Sequence, residues 1–168
     1  MTKTRETNTI TKIIFMVLLA PVVVLIIPFA LAMLFGLLVY GISLTAIVWL
    51  VWCSRGIDTL VVYSDSPNWH DYMTKSMIPR LQGRSIILNW SERRKWRSLT
   101  LPVAVFRYFA GHREYNPFVI VLRPFRLPKT FRFWRAFLDR KHGNLSPLHE
   151  LEARLFNYLN IQTQSTGG

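Results

Sequence analysis

The sequence predicts an α/β protein: an N-terminal transmembrane helical hairpin, then a small three-layer α/β domain whose mostly parallel sheet has about four strands. Three observations lead there. The run from Ile13 to Cys53 contains no charged side chain and no His, Asn or Gln. Four short apolar or β-branched runs follow: Thr59–Tyr63, Ser85–Asn89, Val103–Arg107 and Phe118–Leu122. Between the first two, Trp69, Tyr72, Met73, Met77 and Leu81 recur at helical spacing, which makes a strand–helix–strand unit.

The apolar run is taken first. As one helix it would extend about 60 Å, twice the roughly 30 Å of a bilayer's hydrocarbon core. A reversal near Met33 to Gly36 would give two spans, the first kinked at Pro21 and Pro28 and the second ending in Trp49 and Trp52 at headgroup level. A single tilted or re-entrant segment is one alternative. A cleaved signal peptide is another, with Lys3, Arg5 and Lys12 as its basic region and Ala30-Leu31-Ala32 as the cut, although the residues after Ala32 are as apolar as those before. The expected division is a cytoplasmic tail 1–12, two transmembrane helices 13–53, a cytoplasmic α/β domain 55–161 and a flexible tail 162–168. Lys3, Arg5 and Lys12 place the N-terminus in the cytoplasm, and a hairpin returns the domain to the same face of the membrane. The net charge of +12 lies mostly in the domain, and the single cysteine excludes an internal disulfide. Cys53, at the membrane exit, is either an acylation site or a small apolar filler.

In the domain, none of the four runs alternates strictly, so each reads as a strand buried on both faces. Asp65, Ser66 and Asn68 offer caps before the helix 69–81 and Gly83 a stop after it. Lys129 to Arg140 and Pro147 to Leu159 read as two further helices.

Open parallel sheets bind ligands beyond the carboxyl ends of their strands. Those ends lead into Ser64, Asp65 and Ser66, then Ser91 and Glu92, then Arg107 and His112, then Arg123 and Arg126. Arginine forks with nearby hydroxyls suit a phosphate or carboxylate, so a phosphorylated small molecule is one expected ligand. Asp65 and Glu92 would form a carboxylate pair for acid–base work if the two loops converge. The plainer reading makes Asp65 a helix cap and pairs Glu92 with Arg93 or Lys95. The histidines show no metal spacing, no Gly-rich phosphate loop, GxSxG or HExxH occurs, and no cofactor is implied.

The segment Trp90-Ser91-Glu92-Arg93-Arg94-Lys95-Trp96-Arg97 sets three cations between two tryptophans and a fourth just after them, and Leu122 to Lys141 repeats the theme. On a tethered domain such stretches suit anionic lipid headgroups, at about 1 kcal/mol per basic residue. Nucleic acid ranks below lipid because the bilayer is the nearer anion. The aromatic residues also have a purely structural use as core.

At YSDSPNWHDY, LNWSERRKW and KHGN the chain resembles a group of bacterial membrane proteins of unknown function with a short N-terminal anchor and one C-terminal α/β domain. That resemblance covers most of 55–160 and implies no activity. Residues 59–81 are also similar to the opening of TIR-like domains, an apolar strand, a Ser/Asp loop and a helix. Glu92 departs from that pattern because it follows the second strand, which leaves NAD cleavage without its expected glutamate. Three roles therefore remain: a surface-binding module, a membrane-bound enzyme on a nucleotide or lipid-linked phosphate, and a structural subunit packed on another membrane protein.

Overall fold

The computed structural model describes residues 3–111 and 116–161, with the side chains of 3–14, 18–19 and 22 excepted. The chain divides into two compact units, Met1–Ser43 and Leu44–Gly168.

One helix, α1 (Lys3–Val51), replaces the expected hairpin. At 49 residues it is about 74 Å long. The Met33-Leu34-Phe35-Gly36 stretch has no polar residue to cap a helix end, and Gly36 is simply helical. Pro21 and Pro28 each remove one backbone donor without ending the helix. Val23–Arg55 is long and apolar enough to cross a membrane. A multi-pass arrangement is therefore not supported. Residues 3–12, expected as a tail, belong to the helix. With one candidate span among the described residues in place of a hairpin, no second span returns the chain to the face it started from.

The folded unit contains a sheet ordered β2-β1-β3-β4. Strand β1 (Thr59–Tyr63) is followed by α2 (His70–Tyr72), a π turn (Met73–Met77) and α3 (Ile78–Arg80), which form one helical segment. This segment returns the chain so that β2 (Ser85–Asn89) pairs parallel to β1, Thr59 opposite Ser85. A 3-10 stretch (Trp90–Lys95) and α4 (Leu101–Ala110) come next. Strand β3 (Phe118–Val121) then pairs antiparallel with β1, and β4 (Lys129–Arg132) antiparallel with β3. Helices α5 (Trp134–Lys141) and α6 (Ser146–Tyr158) complete the unit. The sheet is mixed, not mostly parallel. A parallel crossover must carry the chain back across the sheet; here β3 starts at the edge where β2 ended, since Phe118 faces Val62.

Two further expectations change. Val103–Arg107 is helical, inside α4: Pro102 in the first turn supplies the start, and Val103, Val105, Phe106 and Ala110 bury one face, which overrides the β preference of valine. Lys129–Arg132 is an edge strand with only Phe131 buried, so the expected helix begins at Trp134 instead.

Both faces of the sheet are covered, giving three layers. On one, Val61, Val119 and Val121 meet Met73, Met77, Leu81, Phe137, Leu155 and Phe156. On the other, Leu60, Val62, Phe118 and Ile120 meet Phe106 and Ala110 together with Leu44 and Val48 of α1 and Trp52 just after it. The last two turns of α1 are thus core of the folded unit, and its boundary lies near residue 43 instead of 55. Trp52, expected among headgroups, is buried there.

Polar groups tie the helices together. The Tyr72 hydroxyl donates to Glu152, which also pairs with Arg80, and the Arg80 guanidinium lies 3.6 Å from the Phe156 ring centroid. Burial, with Glu152 as hydrogen-bond partner, raises the Tyr72 pKa, so this phenol stays a donor at all physiological pH.

Candidate functional site

Because β1 and β2 run parallel, their carboxyl ends deliver two loops to one edge. The side chain of Asn89, last residue of β2, donates to Asp65 Oδ1 at 2.8 Å and accepts from the Ser91 backbone N–H at 3.0 Å. The Asp65 N–H donates to Ser91 Oγ at 3.0 Å. Ser64 Oγ accepts from Trp69 Nε1 at 3.1 Å, and His70 Nε2 stands 3.8 Å from Asp65 Oδ1. Ser66 contributes its backbone carbonyl to the first turn of the helix, accepting from the N–H of His70 at 2.9 Å. Ser64, Asp65 and Ser91 are therefore brought together, with Asn89 and His70 as members that sequence reasoning missed. Asn89 carried a readable signal, since an Asn two residues before Ser91 is an Asx turn at a helical start.

The carboxylates at this edge are engaged. Asp65 accepts from Asn89, and Glu92 pairs with Lys95 at 2.8 Å, which raises the Lys95 pKa. Burial, reinforced by the charges of Asp65 and Glu92, raises the pKa of the Tyr63 phenol between them. Asp71 is pulled down by its hydrogen bond from Lys75, then by His70. The edge is thus acidic and hydroxyl-rich.

Arg123 and Arg126, expected beside it, are elsewhere. Strand β3 is antiparallel to β1, so its carboxyl end, and Arg123, lie at the opposite edge of the sheet. There Arg123 Nε is 3.6 Å from Asp58 Oδ2, and its other nitrogens donate to the carbonyls of Tyr158 (2.8 Å) and Leu159 (3.2 Å) at the end of α6. Arg84 grips the same Asp58 carboxylate through two nitrogens and reaches Leu159 O at 3.2 Å. Two guanidiniums at a helix carboxyl terminus also suit its dipole. Arg126 is exposed in the turn after β3, and Arg107 donates to Ser98 at 2.9 Å on α4. His112 lies outside the described residues. Arg123 and Arg126 are therefore not brought to the strand ends that hold Asp65 and Ser64.

The basic-aromatic segment divides cleanly. Trp90 and Trp96 turn inward, each with its ring centroid within 5.7 Å of the other and about 5.3–5.4 Å from Phe106. Arg93, Arg94, Lys95 and Arg97 are exposed, and among the described residues only Lys95 of these four has an acidic partner. Neighbouring Leu99 is fully exposed. Trp49 is half-buried and meets the ring of Phe125 at 5.5 Å. Cys53 Sγ donates to the Leu122 carbonyl at 3.3 Å.

Among the described residues, no three His, Cys, Asp or Glu side chains are grouped as a metal site. No family model, curated protein or solved structure matches this chain.

Proposed function

We propose that this is a single-pass protein of the bacterial inner membrane, whose α/β domain is held against the bilayer and binds anionic headgroups there. The observation that carries the reading is the sharing of α1: Leu44, Val48 and Trp52 are core of the domain, while Val23 to Val39 expose apolar side chains all around. The folded unit begins at Leu44, directly after the apolar stretch in sequence, so a bilayer that takes that stretch tethers the domain at short range. Arg93, Arg94 and Arg97 add exposed positive charge, each contributing about 1 kcal/mol, or roughly fivefold, near an anionic surface. Phosphorylated solutes offer the same charge but lack the assembled strand-end pocket. The domain faces the cytoplasm in this reading, because its exposed arginines suit the anionic cytoplasmic leaflet and its one cysteine suits a reducing compartment. Lys3, Arg5 and Lys12 then lie across the membrane, against the usual order of charges.

The test is amide hydrogen exchange on the full chain in nanodiscs of neutral or phosphatidylglycerol-containing lipid. Exchange across Trp90–Lys95 should slow with the anionic lipid at low salt. That difference should vanish near 0.5 M salt, where charges are screened within about 4 Å, and in Arg93→Gln/Arg94→Gln/Arg97→Gln. Equal exchange in both lipids would sink the headgroup reading.

A further inference from the structure

We propose that the turn following β3, residues 124–128, is an interfacial wedge that seats Phe125 and Leu127 among the headgroups and upper acyl carbons of the bilayer beside the end of α1. The proposal rests on the membrane-anchor reading above and names the contact that reading leaves open.

Phe125 is 93% exposed and Leu127 89% exposed, side chains that a water-facing turn has no reason to display. Phe125 also has φ +57°, a left-handed conformation that a bulky aromatic rarely takes and that belongs to glycine or asparagine. The turn is closed by the Arg126 N–H donating to the Arg123 carbonyl at 3.2 Å. Pro124 and Pro128 bracket it and restrict its freedom before any contact is made. A strained turn that holds a phenylalanine outward is a feature with a use.

The neighbour identifies the occupant. The Phe125 ring packs on Trp49 of α1, at an interplanar angle of 46°. At this end of α1, Leu44, Val48 and Trp52 form a stripe four residues apart that faces the domain core. The other side keeps Ile47, Leu50 and Val51 exposed, Leu50 most of all. Phe125 and Leu127 therefore extend an apolar surface that begins on the membrane helix itself. Arg126, between them in sequence, is exposed and can reach a lipid phosphate while the apolar pair sits deeper. Aromatic, aliphatic and cationic side chains adjoining an anchor helix fit a lipid interface; a protein partner would have to share that place with the bilayer.

The test uses the full chain with Cys53→Ser and one new cysteine at a time, Phe125→Cys, Leu34→Cys or Asn68→Cys. Each carries an environment-sensitive fluorophore in vesicles of about three parts phosphatidylcholine to one part phosphatidylglycerol. Phe125 and Asn68 are exposed, so neither label disturbs the buried core. The label at 34 should be quenched by nitroxides near the acyl chain ends. At 125 it should be blue-shifted and at least threefold more quenched by nitroxides near the chain tops than at 68, which should resemble water. Quenching at 34 with a water-like label at 125 would overturn the wedge and leave the anchor standing. Absence of quenching at 34 would overturn the anchor, and the wedge with it.

Discussion

Trp52→Ala should lower the stability of the folded domain by about 3–5 kcal/mol, the cost of emptying a large aromatic site in a core. That is a large part of the 5–15 kcal/mol by which domains are usually stable. Trp52 is almost completely buried, in the layer that contains Leu60, Phe106 and Phe118. Leu50 lies two residues earlier, in the last turn of α1, is 76% exposed, and should change stability by less than about 0.5 kcal/mol when made alanine. Pulse proteolysis of the full chain in mild detergent across a urea series measures both. Equal effects at the two positions would show that the end of α1 is a tether only. The same logic separates two fragments: residues 44–168 retain Leu44, Val48 and Trp52, whereas residues 55–168 lose all three and should be soluble only as an aggregate or a loosened state.

Asp58→Ala is the second large loss, about 3 kcal/mol. Asp58 is the one acid between Arg84 and Arg123, with only 14% of its side chain exposed. Its removal leaves two half-buried guanidiniums facing each other, and breaking a buried pair from one side costs about 3–5 kcal/mol, here at the low end because both arginines keep some solvent. Asp58→Asn, which retains acceptors but no charge, should cost about half as much. Urea midpoints at constant slope decide the matter. An Asp58→Ala protein as stable as the parent would mean that the α6 carbonyls alone hold both arginines.

Much of the domain was legible because its signals are local. TLVVY and FVIVL are buried strands as read, and the helical spacing from Trp69 to Leu81 forms the crossover between the parallel pair. SIILN is a strand but lies at the sheet edge, with Ile87 exposed instead of buried on both faces. Direction was not legible. A strand buried on both faces is apolar throughout whichever way it runs, so FVIVL cannot reveal that β3 opposes β1. Val103–Arg107 misled through β-branched residues, although Pro102 just after Thr100 marked a helix start. In β4, Phe131 lies in step with Trp134 and Leu138, and that helical stripe hid an edge strand with one inward side chain. The stripe Leu44, Val48, Trp52 was invisible for another reason: every other face of that helix is apolar too, so no contrast distinguished protein contact from lipid contact.

The candidate site divides along the same line. Ser64, Asp65 and Ser91 meet because strand, helix and parallel strand follow from local pattern. Arg123 was assigned to their side only through the assumed direction of β3. Once that direction reverses, the same arginine becomes a clamp on Asp58 and the end of α6. The short-range alternative for Glu92, an ion pair three residues away with Lys95, needed no tertiary assumption and is the arrangement present.

The most direct measurement is protease protection of the full chain in inverted inner-membrane vesicles, with different epitope tags at its two ends. One α1 crossing in the proposed orientation predicts that the C-terminal tag is digested while the N-terminal tag survives inside the vesicle, both on a protein that alkaline carbonate does not extract. Two tags on the same face would restore two crossings and contradict the single helix. A shortened, extractable C-terminal product would make the apolar stretch a cleaved signal sequence and release the domain from the membrane altogether.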